Sequence, residues 1–467
     1  MPDQIDLLSI KAGSVTAPAG CGKTHLIAEA VTQQKGGLPT LVLTHTNAGV
    51  AALRRRLDEL GASPRAFKLA TLDGWTLRML AAFPLRAQIN PEHLKLNNPK
   101  TDYPALRTGI LRLIGERHLD DVIKANFGHL LVDEYQDCQP EQHALVVALS
   151  RVVPTCVLGD PLQAVFGWLG TVNWLTDVEA SFPPAGELVT PWRWKLANND
   201  ALGAWLLSIR KPLMAGQQID LRAAPPCVEW VALNGNDDMA ARLKAANTPP
   251  ASRNGGTLIM TKWPKDQNRY ARIIPGATKV ETADLTDLLA FAETFEIKGK
   301  GALDQLVDFA SSVITGVDRT GLYRRLRSIV DGTNKKPPTD LEQCALDFWS
   351  HRTYSLAAKL LSEFSKQAGS RTFRGELLSP AIEALNASER SGQTALADLV
   401  IKIRERTRMT GRYVPKKAVG STLLFKGLEA EVSIILELKD MDLFDIYVAL
   451  TRGSKKLVVC SHSPLIP

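Results

Sequence analysis

Ala17-Pro18-Ala19-Gly20-Cys21-Gly22-Lys23-Thr24 is the stretch whose reading decides the fold. It follows the apolar patch Ser14, Val15 and Thr16, and it leads into Leu26, Ile27, Ala28, Ala30 and Val31, which fit one face of a helix. Strand, small-residue loop and helix in that order form the context a phosphate-cradling loop requires. The backbone N–H groups of such a loop, helped by the helix N-terminus, can hold phosphate oxygens. At this spacing Lys23 is expected to reach the β- and γ-phosphates, and the Thr24 hydroxyl to ligate Mg²⁺. Ala17, Gly20 and Gly22 shape the cradle. Ala17 stands where the common form of the pattern has glycine, so the bare match is a loose one.

The surrounding chain supplies more candidates. Gln4, just upstream, carries an amide that both donates and accepts and so could read an adenine edge; a plain surface glutamine reads equally well. Leu41-Val42-Leu43-Thr44 is apolar without alternation, as a strand covered on both faces is. Ligands in open α/β sheets sit beyond the carboxyl ends of the strands. Thr44, His45 and Asn47 are therefore expected at a ligand, whereas Arg54, Arg55 and Arg56 read equally as a solvated helix face. Thr71-Leu72-Asp73-Gly74-Trp75 opens a further segment, and residues 81–126 read as a small, partly helical insertion.

A second strong signal is His129-Leu130-Leu131-Val132-Asp133-Glu134-Tyr135-Gln136-Asp137, a short apolar strand ending in adjacent carboxylates. Asp133 is suited to hold Mg²⁺, and Glu134 to orient an attacking water or take its proton. Downstream, Thr155 to Pro161 form another strand and loop, followed by Gln163 and Trp168. Gln163 could sense a γ-phosphate, and an exposed Trp168 could stack on a base. Pro191-Trp192-Arg193-Trp194-Lys195 places an arginine between two tryptophans, either an aromatic clamp beside a phosphate-seeking charge or a structural cation–π pair.

The bulk numbers set bounds. A chain of 467 residues predicts two to four domains, and 45% hydrophobic with 22% charged residues is ordinary for a protein with full cores. No apolar run reaches the length of a membrane span, and the N-terminus lacks the basic and apolar regions of a secretory signal. The six cysteines, Cys21, Cys138, Cys156, Cys227, Cys344 and Cys460, form no CxxC pair. This argues against a disulfide framework or a zinc site and predicts a cytoplasmic setting. A net charge of +7 permits a nucleic-acid partner without requiring one.

Beyond the tryptophan cluster, two strand–helix units predict a second α/β domain. Residues 264–415 change to helical patterns with basic residues at Arg324, Arg325 and Arg327 and from Lys402 to Lys417, either a backbone track or a solvated face. The α/β pattern then resumes with Phe425-Lys426-Gly427-Leu428-Glu429 and with Tyr447-Val448-Ala449-Leu450-Thr451-Arg452-Gly453.

Taken in order, these segments resemble the motifs of the UvrD/Rep/PcrA-type superfamily 1 helicases. APAGCGKT, LTHTNAG, LLVDEYQD, LGDPLQAVFGWLG, PWRW, KGLE and YVALTRG follow the family's sequence of motifs and cover about half of the chain. The resemblance implies an α/β fold of two RecA-like P-loop NTPase domains with parallel sheets, each carrying a mainly helical insertion. The first domain would span 1–190, with its small insertion at about 81–126; the second 191–263 and 416–467, interrupted by a helical insertion at 264–415. It further implies ATP in the cleft between the domains. Lys23 and Thr24 would meet the phosphates and Mg²⁺, Asp133 the Mg²⁺, and Glu134 would be the catalytic base. Gln163 and Glu429 would contact nucleotide, Trp192 would stack on adenine, and Arg193 and Arg452 would be arginine fingers from the second domain. Trp168, His45 and Trp75 would meet single-stranded DNA. His25, Leu169 and Leu423 stand where relatives usually carry Arg, Arg and His.

The expected function is an ATP-dependent single-stranded DNA translocase or helicase, moving 3′ to 5′, in DNA repair or phage defence. Its partners would be single-stranded or tailed duplex DNA and a nuclease or other repair or defence protein, with no membrane. Two other readings remain open: a DNA-stimulated motor or sensor subunit of a larger complex, and an ATP-gated binding switch.

Overall fold

The computed structural model describes residues 5–34, 36–96, 98–167, 170–333, 335–392, 394–410 and 414–467. By their contacts they divide into two compact units: Met1–Trp230 with Met441–Leu457 and Ser463–Pro467, and Val231–Asp440 with Val458–His462. Residues 191–230 and 441–457 thus count with the first unit.

The first unit is built on six strands: β1 (Ala12–Thr16), β2 (Thr40–Thr44), β3 (Phe67–Thr71), β4 (His129–Val132), β5 (Thr155–Gly159) and β6 (Pro184–Glu187). Their order in the sheet is β3-β2-β4-β5-β1-β6, and every pairing is parallel. The apolar runs read from the sequence follow from this placement, because a central parallel strand is covered on both faces. Successive side chains point to opposite faces. Val42, Leu131 and Leu158 join one core with Ile27, Val31, Leu53 and Leu57 from the helices Lys23–Gln33 and Asn47–Glu59. Leu41, Leu43, Leu130, Val132 and Val157 join the other, with Leu72, Leu106 and Leu145. Emptying one such position, as in Leu43→Ala, costs about 2–5 kcal/mol.

The stretch expected as a small insertion is helical at Pro84–Ala87, Pro99–Gly115 and Asp120–Asn126. It does not form a core of its own: Leu106, Ile110, Leu113 and Ile114 pack into the second of those cores. A short strand β7 (Ile219–Asp220) follows later in the unit.

The second sheet contains β8 (Val228–Ala232), β9 (Thr257–Met260) and β10 (Thr278–Lys279). Next in the chain, β11 (Ile314–Thr315) and β12 (Arg371–Thr372) pair antiparallel within the helical region. The second sheet is completed by β13 (Lys417–Gly420), β14 (Ala430–Ile435) and β15 (Gly453–Ser461), in the order β10-β13-β9-β14-β15-β8. The pairings of β10 with β13, β13 with β9 and β14 with β9 are parallel. A final strand β16 (Leu465–Ile466) pairs antiparallel with β7. Helix Pro264–Ile273 covers the second sheet through Tyr270 and Ala271, with Ile274 just past its end in the same core.

The helical region has a separate core. Leu288, Leu306, Val307, Ala310, Phe348, Leu360, Leu361, Leu385 and Val400 come from helices between Thr286 and Thr410. The fold is therefore α/β, with two six-stranded sheets and a large helical insertion in the second. Among the described residues, no helix is long and apolar enough to cross a membrane.

Candidate nucleotide site

The carboxyl ends of four adjacent parallel strands carry the motif residues. The phosphate-type loop follows β1, Thr44 ends β2, Asp133 and Glu134 follow β4, and Asp160 and Gln163 follow β5. Gly20 (φ 72°) and Gly22 (φ 90°) adopt left-handed backbone that glycine takes without steric cost. Helix Lys23–Gln33 has no side-chain cap and no acidic residue in its first turn. Its leading N–H groups and the positive end of its dipole are thus suited to an anion. This local chemistry fits a nucleotide phosphate chain.

Lys23 Nζ lies 2.8 Å from Asp133 Oδ1 and 2.5 Å from Glu134 Oε1. Burial alone would lower the Lys23 pKa, but the two carboxylates outweigh it and hold the ammonium above its ordinary range. Asp133 is almost fully buried, whereas the Glu134 side chain keeps 29% of its exposure. Glu134 sits at φ 56°, left-handed backbone that is uncommon for a residue with a Cβ and concentrates at functional sites. Its Oε2 accepts from Gln136 Nε2 at 2.6 Å, and Gln136 Oε1 in turn accepts from the Asp160 N–H at 3.0 Å. The amide of Gln136 therefore ties the end of β4 to the end of β5. Thr24 and Asp133 are the residues suited to Mg²⁺, which commonly takes one or two protein oxygens and completes its shell with phosphate and water.

Asp160 is the hub of this edge and was not singled out from the sequence. Its carboxylate accepts from the Ala19 N–H at 3.0 Å, from Gln163 Nε2 at 2.9 Å and from the Leu162 N–H at 3.2 Å. Arg210 meets it at 2.8 Å and also donates to Tyr447 Oη. Burial alone would lower the Arg210 pKa; Asp160 and Tyr447 outweigh it and raise it further. One buried charge pair thus links the phosphate loop, the GDPLQ segment and the YVALTRG segment.

The tryptophan–arginine cluster lies on the same loop. The Arg193 N–H donates to Gly20 O at 3.0 Å, and Trp194, 1% exposed, donates through Nε1 to Gly453 O at 2.9 Å. A Cβ on Gly20 would come within 2.7 Å of Trp194, and one on Gly22 within 3.2 Å of Trp192. Trp192 itself stays 38% exposed, with Lys195 Nζ 5.7 Å from its ring centroid. Arg193 donates to Thr451 O, and Arg452 Nη2 donates to Gln163 Oε1 at 3.3 Å. Both arginines were expected on the second domain. By contacts they fall in the first unit, held by partners on that unit.

The expected DNA-facing residues divide. Asn47 is exposed at the start of helix Asn47–Glu59. His45 is half-buried, with Nε2 3.3 Å from Cys138 Sγ. Thr44 is fully buried, and its hydroxyl has no hydrogen-bond partner among the described residues. Trp75 departs from expectation: it is 3% exposed and packs in the core with Leu72 and Leu80, so its indole face is closed to a DNA base. The buried positions Leu72, Trp75, Thr76 and Leu80 follow helical spacing, the signal that places Trp75 inward. Ala17 is buried and donates its N–H to Gly159 O at 2.8 Å. Glu429 is exposed directly before β14 in the second unit. Gln4 and Trp168 lie outside the described residues.

A phosphate-type loop after the first strand and paired carboxylates after β4, one strand removed in the same parallel sheet, are the arrangement of P-loop nucleotide proteins. Residues 91–182, which include DEYQD and GDPLQ, match the family model for the UvrD/REP helicase N-terminal domain. The likeness of this chain to UvrD-like superfamily 1 helicases therefore rests on a family match as well as on its motifs. Among solved structures, the chain is similar to a crystal structure of Pif1 helicase from Bacteroides in complex with ADP-AlF3 and single-stranded DNA. Identity is 14% and the TM-score 0.28, covering 57% of this chain and 53% of that one. The chain thus spans about half the length of that relative. No curated protein matches it.

Proposed function

We propose that this protein is a DNA-dependent ATPase that translocates on single strands and unwinds duplex DNA with 3′-to-5′ polarity, in DNA repair or phage defence. The observation that carries the reading is the ammonium of Lys23 beside Asp133 and Glu134, next to an uncapped helix N-terminus. ATP is the substrate. The oxygen of water attacks the γ-phosphorus, the bond to the β–γ bridging oxygen breaks, and ADP and phosphate leave. Glu134 takes the proton of the attacking water. Lys23 exchanges its carboxylate contacts for phosphate oxygens. Thr24 and Asp133 would hold Mg²⁺, which would supply neutralisation of phosphate charge. Gln163, Arg193 and Arg452 act on the transferred phosphoryl, and Trp192 packs against the base. Asn47 and His45, past the end of β2, are the DNA-facing residues.

The decisive measurement is the ATPase rate with and without single-stranded oligonucleotide, followed by strand displacement on 3′-tailed and 5′-tailed duplexes. DNA should raise turnover at least tenfold, and only the 3′-tailed substrate should be unwound. A rate indifferent to DNA would overturn the translocase reading. Displacement from the 5′ tail would reverse the polarity.

A further inference from the structure

The helical insertion carries a cleft that none of the ATPase chemistry uses. It has a volume of about 900 Å³ and opens among the helices Ala302–Val313, Arg319–Val330 and Asp340–His351. On its wall Trp349 keeps 47% of its exposure and Val330 59%, two large apolar side chains open to solvent at the cleft. Around them stand Lys300, Arg324 and Arg327, exposed cations that pair with no carboxylate among the described residues. Arg324 and Arg327 are one helical turn apart on the same helix and so lie side by side. Of the two acids on the wall, Asp304 is already engaged by Arg319 at 2.6 Å and by Tyr323 Oη at 2.9 Å, which leaves Asp331. The local balance is cationic around an available indole face.

We propose that this cleft is a second binding site for single-stranded nucleic acid, with a base stacked on Trp349 and neighbouring phosphates on Arg324, Arg327 and Lys300. Every base has a π-face, so a tryptophan beside unpaired cations takes a strand without reading its sequence. An acidic peptide is the weaker fit. The cleft is walled by helices and offers no strand edge for a peptide backbone, and its exposed apolar surface is too small for an amphipathic helix. The inference rests on nucleic acid being the substrate of this protein, as proposed above.

The test uses the full chain and a dT20 oligonucleotide. After ultraviolet cross-linking, peptide mapping should locate dT20 on residues 319–352. Trp349→Ala should lower that cross-link about tenfold, and Trp349→Phe should retain it. The double variant Arg324→Gln/Arg327→Gln should flatten the salt dependence of binding at this site by about 1.4 in log–log slope. Basal ATPase, which does not use the cleft, should be unchanged in all three. A dT20 that never cross-links to 319–352, or cross-links there independently of Trp349 and both arginines, overturns the site. So does a polyglutamate peptide that occupies the cleft where dT20 does not. If dT20 cross-links at Trp349 but fails to stimulate wild-type ATPase, the cleft stands and the translocase reading fails. The reverse result removes the cleft alone.

Discussion

Two ion clusters, one in each unit, use similar chemistry to different ends. In the first unit, one ammonium, Lys23, is shared by Asp133 and Glu134, with single contacts to each. In the second, the guanidinium of Arg374 grips Glu281 with two parallel bonds, Nε at 2.6 Å and Nη2 at 2.9 Å, and reaches Asp287 at 2.6 Å. Lys279 adds a contact to Glu281 at 3.0 Å, and Glu376 accepts the Glu281 N–H at 2.7 Å. The Arg374 side chain is 4% exposed. Bidentate, buried geometry fixes one arrangement. Single contacts from a flexible lysine, beside an uncapped helix start, can be traded for phosphate oxygens. Burial of charge is common to both; what separates an exchangeable cluster from a structural one is the number of bonds each charge would have to give up.

That distinction can be broken by mutation. The largest effect is expected for Glu134→Gln, which should lower ATP turnover by a factor of about 10²–10⁴. The unfolding midpoint should move by less than about 3 °C, because the side chain is partly exposed and the amide oxygen keeps one of the carboxylate's two acceptor contacts. Turnover near wild type would remove Glu134 as the base. Next is Arg374→Met, which leaves Glu281 buried without its bidentate partner. It should cost about 3–5 kcal/mol of stability in urea unfolding. A loss of stability in Glu134→Gln as large as in Arg374→Met would erase the contrast between the clusters.

The smallest effect concerns Glu342, also in the second unit. The Arg325 guanidinium and the Thr339 N–H and hydroxyl lower its pKa from 4.5 to about 2. A carboxyl whose folded value lies below its unfolded one contributes stability that is complete above the unfolded pKa and lost as pH falls toward the folded one. The stability difference between wild type and Glu342→Gln should therefore be constant above about pH 5 and shrink as pH falls toward 2. A difference independent of pH would show that the Arg325 pair contributes packing rather than charge.

The sequence displayed those parts of the fold that depend on neighbours along the chain. Apolar runs such as Leu41–Leu43 announced strands covered on both faces, and the loop Ala17–Thr24 announced the strand–helix junction. What stayed hidden depends on contacts between distant residues. Arg210 reads as an ordinary cation at a helix end, yet its carboxylate partner Asp160 lies 50 residues away and its phenol partner Tyr447 lies 237 away. No local pattern marks such a charge as buried. The left-handed turn at Glu134 was equally silent, because glutamate carries no signal for positive φ. Trp75 was legible in principle, because the helical spacing of Leu72, Trp75, Thr76 and Leu80 turns it inward even though it follows the polar pair Asp73-Gly74.

The contact between Gly20 and Trp194 also constrains how this protein can diverge. A side chain at position 20 meets both a left-handed backbone and an indole at 2.7 Å, so Gly20 cannot drift alone. Replacing Trp194 would open the space but abandon its bond to Gly453 O. The two positions, far apart in the chain, are epistatic. In a lineage of such proteins the loop glycine and the tryptophan should be retained together or exchanged together, so that a phosphate loop which looks self-contained inherits its variability from a segment beyond residue 190.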